Sequence, residues 1–224
     1  WLALQLAQSV ATGGMTFDQA VERGPILYLA LEDPPRRLAE RMKKQEWPLG
    51  TDAEFMTIGD FADRVGDLRN GGGENLAEQI EARGYRFVAI DTLSRSVRGD
   101  QSDVDEMTMA LSPVQEAALS HNCAVVMVDH HKKGFGTNPD AIADILGSTA
   151  KGALADTIWG LYRERGNVGA NLQIVGREIP EKTLALTFDG LTGSWQCQGD
   201  AYEIEMTERR REILDSVAAM GKSP

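Results

Sequence analysis

The chain has 224 residues, 42% of them hydrophobic and 25% charged, with 23 Lys+Arg against 34 Asp+Glu for a formal net charge of −11. That length suits one large domain, or one domain with a short appendage, and the composition is that of a globular protein rather than a disordered one. The acidic balance argues against a general nucleic-acid coat or a membrane-surface binder, and no stretch approaches the roughly 18–20 apolar residues of a membrane span.

The opening WLALQLAQSVA is apolar but has no basic segment before it and is followed by Gly13-Gly14, so it does not read as a signal peptide. Its apolar residues, Leu2, Leu6 and Val10 with Trp1 and Leu4, have mostly helical spacing, and the two glycines end the helix. PILYLALE (25–32) is a short apolar run between Gly24 and Pro34-Pro35, the pattern of a buried strand. DPPRRLAERMKKQ follows as a helix whose start is marked by Asp33 and the prolines, and EFMTIGD (54–60) reads as a second strand. ENLAEQIEARG (74–84) is an amphipathic helix, and the glycine run before it is read as a plain loop. FVAIDT (87–92) is the next buried strand, SRSVRGDQSD a polar loop, residues 104–121 a helix, and CAVVMVD (123–129) the most apolar strand. Strands alternating with helices predict a parallel sheet covered on both faces.

Beyond residue 155 the pattern changes. ADTIWGLYRE, ANLQIVGRE, KTLALTFDG and GSWQCQG are short strands separated by turn residues, which predicts an antiparallel meander added to the sheet's edge. Residues 206–220 close the chain as a charged helix. The two cysteines, Cys123 and Cys197, suit reduced thiols in a cytoplasmic protein.

Open parallel sheets bind ligands beyond the carboxyl ends of their strands. Three strands here end in reactive residues: Glu32-Asp33, Asp91-Thr92 and Asp129-His130-His131. Each follows an apolar run directly, so all three should emerge at one rim. A strand-end acid such as Asp91 can hold Mg²⁺ through water beside a nucleotide's phosphates, and Glu32 could orient an attacking water. Either acid could instead be no more than a helix-capping charge.

The series YLALEDPPRRLAERM, FVAIDTLSR, VVMVDHHKK and GSTAKGALADTIWGLYRE resembles the RecA-type ATPase core of RepA-like hexameric replicative helicases, with DnaB-type helicases and KaiC-like ATPases as more distant relatives. The resemblance covers nearly the whole chain. It implies an α/β RecA-like P-loop NTPase fold over residues 1–200, with ATP and Mg²⁺ as cofactors. A C-terminal segment, 201–224, resembles the first helix of a winged-helix module; a solvated amphipathic helix is the alternative. By this resemblance Glu32 is the catalytic glutamate, Asp91 the Walker B aspartate with Thr92 beside it, and His130 the sensor of the γ-phosphate. Arg41 would stack on adenine, and Arg177 would be an arginine finger acting on a neighbouring subunit, with Arg163 and Arg165 as rivals. Single-stranded DNA would meet Lys132, Lys133 and Phe135 in the segment after His130, with Arg95 and Arg98 as further contacts, and the subunits would close into a ring.

The resemblance also predicts a gap. These ATPases wrap phosphates with G-x-x-x-x-G-K-[ST], and no such motif lies ahead of Glu32; Gly221-Lys222-Ser223 fails because Ser216 stands where the first glycine is needed. The chain is therefore expected to begin just after its phosphate-binding loop and, as it stands, to bind nucleotide weakly. Two other readings stay open: a catalytically silent RecA-like assembly module, and a manganese phosphoesterase using Asp129-His130-His131 with Asp91.

Overall fold

The computed structural model describes residues 1–131, 140–145 and 149–220. The first helix, α1 (Leu2–Thr12), buries Ala3, Leu4, Leu6, Ala7 and Ala11, a spacing that gives one apolar face. It stops at Gly13, whose φ of +74° is left-handed and whose N–H closes on the Ser9 carbonyl. A short hairpin follows, β1 (Met15–Thr16) with β2 (Gln19–Ala20), which the hydrophobic pattern did not signal.

β3 (Ile26–Ala30), β4 (Ala53–Thr57), β5 (Phe87–Asp91) and β6 (Ala124–Val128) form an all-parallel sheet in the order β4-β3-β5-β6. β3 is buried at every residue, as a continuous apolar run should be when helices cover both faces of a sheet. α1 and α2 (Pro35–Lys44) cover one face, with Leu38 and Met42 of α2 joining the α1 residues against Ile26, Tyr28, Ala30, Phe87 and Ala89. α3 (Ile58–Arg64), α4 (Gly73–Arg83), α6 (Val104–Ser120) and α7 (Thr149–Leu154) cover the other. Between β5 and α6 the polar loop contains one short turn of helix, α5 (Leu93–Ser96).

Two local expectations change. The strand expected over 54–60 ends at Thr57, because the Asp60 carboxylate accepts both the Thr57 N–H (2.9 Å) and its hydroxyl (2.7 Å) and so starts α3. Those bonds hold the Asp60 carboxyl below its ordinary range. The glycine run is a tight turn rather than an open loop: the Asn70 and Gly72 N–H groups both donate to the Asp67 carbonyl at 2.9 Å, Gly71 has a φ of +86°, and a Cβ at Gly72 would strike the carbonyl oxygens of Gly66 and Asp67.

β7 (Thr157–Tyr162), β8 (Gly169–Gly176), β9 (Lys182–Asp189) and β10 (Ser194–Asp200) form the expected antiparallel meander. Among the described residues it hydrogen-bonds as its own four-stranded sheet, β10-β9-β8-β7, rather than continuing the parallel one. It has a separate core of Ala170, Leu172, Ile174, Leu186 and Trp195, against which Leu2 and Phe17 pack. An amide clasp joins it to α1: Gln5 Nε2 donates to the Trp195 carbonyl (2.9 Å) and the Trp195 N–H donates to Gln5 Oε1 (2.7 Å). α8 (Ala201–Met220) leaves β10 directly, five residues before the expected helix start at 206. No helix among the described residues is long and apolar enough to cross a membrane.

Candidate active site

Strand register brings three distant sequence positions to one rim. Ala30 pairs with Asp91 across β3 and β5, and Asp91 pairs with Val128 across β5 and β6. Glu32, Thr92, Asp129 and His130 therefore leave the sheet at the same carboxyl end, as the sequence predicted.

Side-chain alternation then divides them. Tyr28, Ala30, Phe87, Ala89, Val126 and Val128 all pack on the α1 face, whereas Leu29, Leu31, Val88, Ile90, Val125 and Met127 pack on the opposite one. Continuing the alternation puts Glu32, Asp91 and His130 on the α1 face and Asp129 on the face of α6 and α7. The contacts agree. Glu32 Oε1 accepts the Thr92 hydroxyl at 2.9 Å, and His130 Nε2 and Arg95 Nε approach that same oxygen at 3.8 Å and 3.9 Å. The Ser94 hydroxyl lies 2.8 Å from the Thr92 hydroxyl, so Thr92 is held between them and is buried. On the other face Asp129 Oδ2 pairs with Lys151 Nζ of α7 at 2.6 Å, and the His131 ring stacks edge-on against Tyr162.

The Walker B candidate has a partner that sequence reasoning missed. The buried Tyr28 phenol donates to Asp91 Oδ2 at 2.6 Å. Burial, reinforced by the Asp91 carboxylate, pushes the Tyr28 pKa well above its ordinary value, so the phenol stays a donor. A tyrosine inside an otherwise aliphatic strand was the available signal, because its hydroxyl must find a partner when buried.

The first turn of α1 reaches the same place. Arg41 lies here too, but on protein groups: its guanidinium pairs with Asp33 at 2.5 Å and sits 5.1 Å from the centre of the Trp1 ring. Oxygen donors from Asp91 and Glu32 on one rim fit the chemistry of Mg²⁺ with phosphates.

The remaining expected residues lie elsewhere. Arg98 is exposed, with its backbone N–H on Asp67. Arg177 follows β8, its guanidinium on the Ala153 carbonyl and 3.9 Å from Asp156. Tyr162 stacks on His131, so β7 ends at the rim; Arg177 is beside its start, about 17 Å away at ~3.3 Å per residue. Arg163 lies over the Phe188 and Trp195 rings and donates to the Asn167 carbonyl. Lys132, Lys133 and Phe135 fall outside the described residues. The phosphoesterase reading loses its geometry, because Asp91 and Asp129 point to opposite faces. Among the described residues no three His, Cys, Asp or Glu side chains are placed to hold a metal.

Residues 1–135 match a protein family described as an AAA domain. The chain belongs to that family. Among solved structures it is similar to a KaiC-like protein from the hyperthermophilic archaeon Pyrococcus horikoshii OT3, with a TM-score of 0.52 at 10% identity, over 87% of this chain and 81% of that one. The AAA-domain match and the shared fold make this molecule a RecA-like P-loop NTPase module, with the parallel sheet and helices expected from its sequence.

Proposed function

We propose that this AAA-domain chain is the core of an ATP-hydrolysing motor that moves on single-stranded DNA as a cytoplasmic ring of six head-to-tail subunits. The observation that carries the reading is the arrangement around Glu32. Three groups, from Thr92, His130 and Arg95, converge on its Oε1, and among the described residues no hydrogen bond falls on Oε2. A carboxylate held by one oxygen keeps the other oriented to accept from an attacking water, which is positioning rather than covalent catalysis.

The other roles follow from chemistry and place. Asp91, steadied by Tyr28, would hold Mg²⁺ through water. Bound Mg²⁺ neutralises phosphate charge as the terminal phosphoryl group leaves. His130, touching Glu32 and leading directly into the segment with Lys132, Lys133 and Phe135, joins the site to the proposed DNA contacts. Arg177 lies away from its own rim, as a residue serving a neighbour must in a head-to-tail interface built from two different patches. There it would offset transition-state charge, an effect worth about 10³–10⁵ in rate in other phosphoryl-transfer enzymes.

The test is ATP hydrolysis with and without single-stranded DNA, for this chain and for one carrying a phosphate-binding loop ahead of Trp1. Turnover in the extended protein that rises with DNA is expected, with Glu32→Gln and Asp91→Asn each lowering kcat about 10³-fold. Unchanged kcat in either variant would remove that residue's role. A folded extended protein without turnover would leave the silent assembly module as the better reading.

A further inference from the structure

The face of the sheet opposite the reacting groups carries a buried ion pair that the mechanism above does not use. The Lys151 side chain is only 6% exposed and its partner Asp129 18%, with Nζ 2.6 Å from Oδ2. Taking both charges out of water is costly, and well-packed apolar residues would often stabilise the fold as well. Stability alone is therefore a weak account of the pair.

Its connections suggest another. Asp129 divides its carboxylate: Oδ2 holds Lys151, and Oδ1 accepts the backbone N–H of His130 at 2.9 Å. His130 in turn presents Nε2 toward Glu32 on the other face. Lys151 also donates to Gln101 Oε1 at 3.2 Å, and the Gln101 amide donates to the Ser94 and Val97 carbonyls at 3.2 Å and 3.3 Å. Ser94 leads through Thr92 back to Glu32. Two routes of polar contacts thus run from one lysine to one glutamate, through the end of β6 and through the loop after β5. Lys151 belongs to α7, where the chain returns after the proposed DNA segment, so the pair ties the far end of that segment to the rim.

We propose that Lys151 is a positioning residue: through Asp129 it clamps α7 to the end of β6 and so sets the place of His130 relative to Glu32. The kinetic part of this inference rests on the ATPase reading; the structural part does not.

Lys151→Met and the double variant Asp129→Asn/Lys151→Met separate the clamp from a merely structural pair, because the amide that replaces the Asp129 carboxylate keeps an oxygen for the His130 N–H. His130 is one of three histidines, so its imidazole Cε1–H signal can be assigned by substitution and followed by NMR. In Lys151→Met, which strands a buried carboxylate, a lowered Tm is expected. In the double variant the Tm should return while the His130 signal stays displaced and the DNA-stimulated to basal ATPase ratio stays about 5-fold down. Recovery of Tm, signal and ratio together would overturn the proposal. The ATPase ratio is read in the protein extended by a phosphate-binding loop; if that protein shows no turnover without substitutions, the ATPase reading fails and the His130 signal alone decides the clamp. Should the double variant not fold, Lys151→Gln is read by the same signal, with displacement supporting the clamp and a wild-type position refuting it.

Discussion

The two faces of the parallel sheet meet at one rim and carry charge there in opposite ways. On the α1 face the Glu32 side chain is 39% exposed and that of His130 58%, with the Arg95 and His130 nitrogens near 4 Å from the Glu32 carboxylate. On the α7 face Lys151 and Asp129 are mostly buried and in direct contact at 2.6 Å. Loose, solvent-accessible charges can reorganise around a ligand, whereas a tight buried pair fixes backbone. The residues suited to chemistry are therefore on one face and those suited to holding geometry on the other, one strand position apart.

Urea unfolding tests that contrast most strongly. Lys151→Met should lose about 3 kcal/mol because Asp129 is left without its buried partner, while Glu32→Gln should stay within about 0.5 kcal/mol of wild type. Equal losses would erase the distinction. Tyr28→Phe probes a buried contact on the α1 face: removing the phenol from Asp91 should cost about 1.5 kcal/mol of stability and weaken the response to Mg²⁺. An Mg²⁺ titration unchanged by the substitution would make Tyr28 a packing residue only.

The smallest effect lies away from the rim and serves as a control. Burial works to raise the Glu54 carboxyl, but the hydrogen bonds from Tyr85 and Arg64, with Arg83 nearby, outweigh it and leave the pKa below 4.5. A depressed folded pKa contributes stability that is present above about pH 4.5 and lost as pH falls through the folded value. Burial and the Glu54 bond push Tyr85 up to about 12, so its contribution is complete below pH 10 and disappears between pH 10 and about 12. Thermal melts should therefore decline at both ends of the pH range, and Glu54→Gln should flatten the acid limb. An unchanged acid limb in that variant would show that other carboxylates set it.

Much of this was legible in the chain. Continuous apolar runs such as ILYLAL and FVAI, each followed directly by an acid, announced buried parallel strands with a reactive rim, because strand length and hydropathy are local properties. The four ordered motifs pointed to the RecA-like class for the same reason. Thr57 and Asp60 were also legible, since a helix start needs only three residues of spacing, yet the apolar EFMTI run masked them.

Tertiary structure alone decided partnership. Tyr28 and Asp91 are 63 residues apart and Lys151 and Asp129 are 22 apart, and no local pattern specifies which buried donor meets which carboxylate. It also set Arg41 against Asp33 and Trp1 and gave the meander its own core and its own sheet. Sequence determined which residues reach the rim, because that follows from where each strand ends. Folding determined which face each one serves and what holds it, because those depend on register and burial across strands that the chain places far apart.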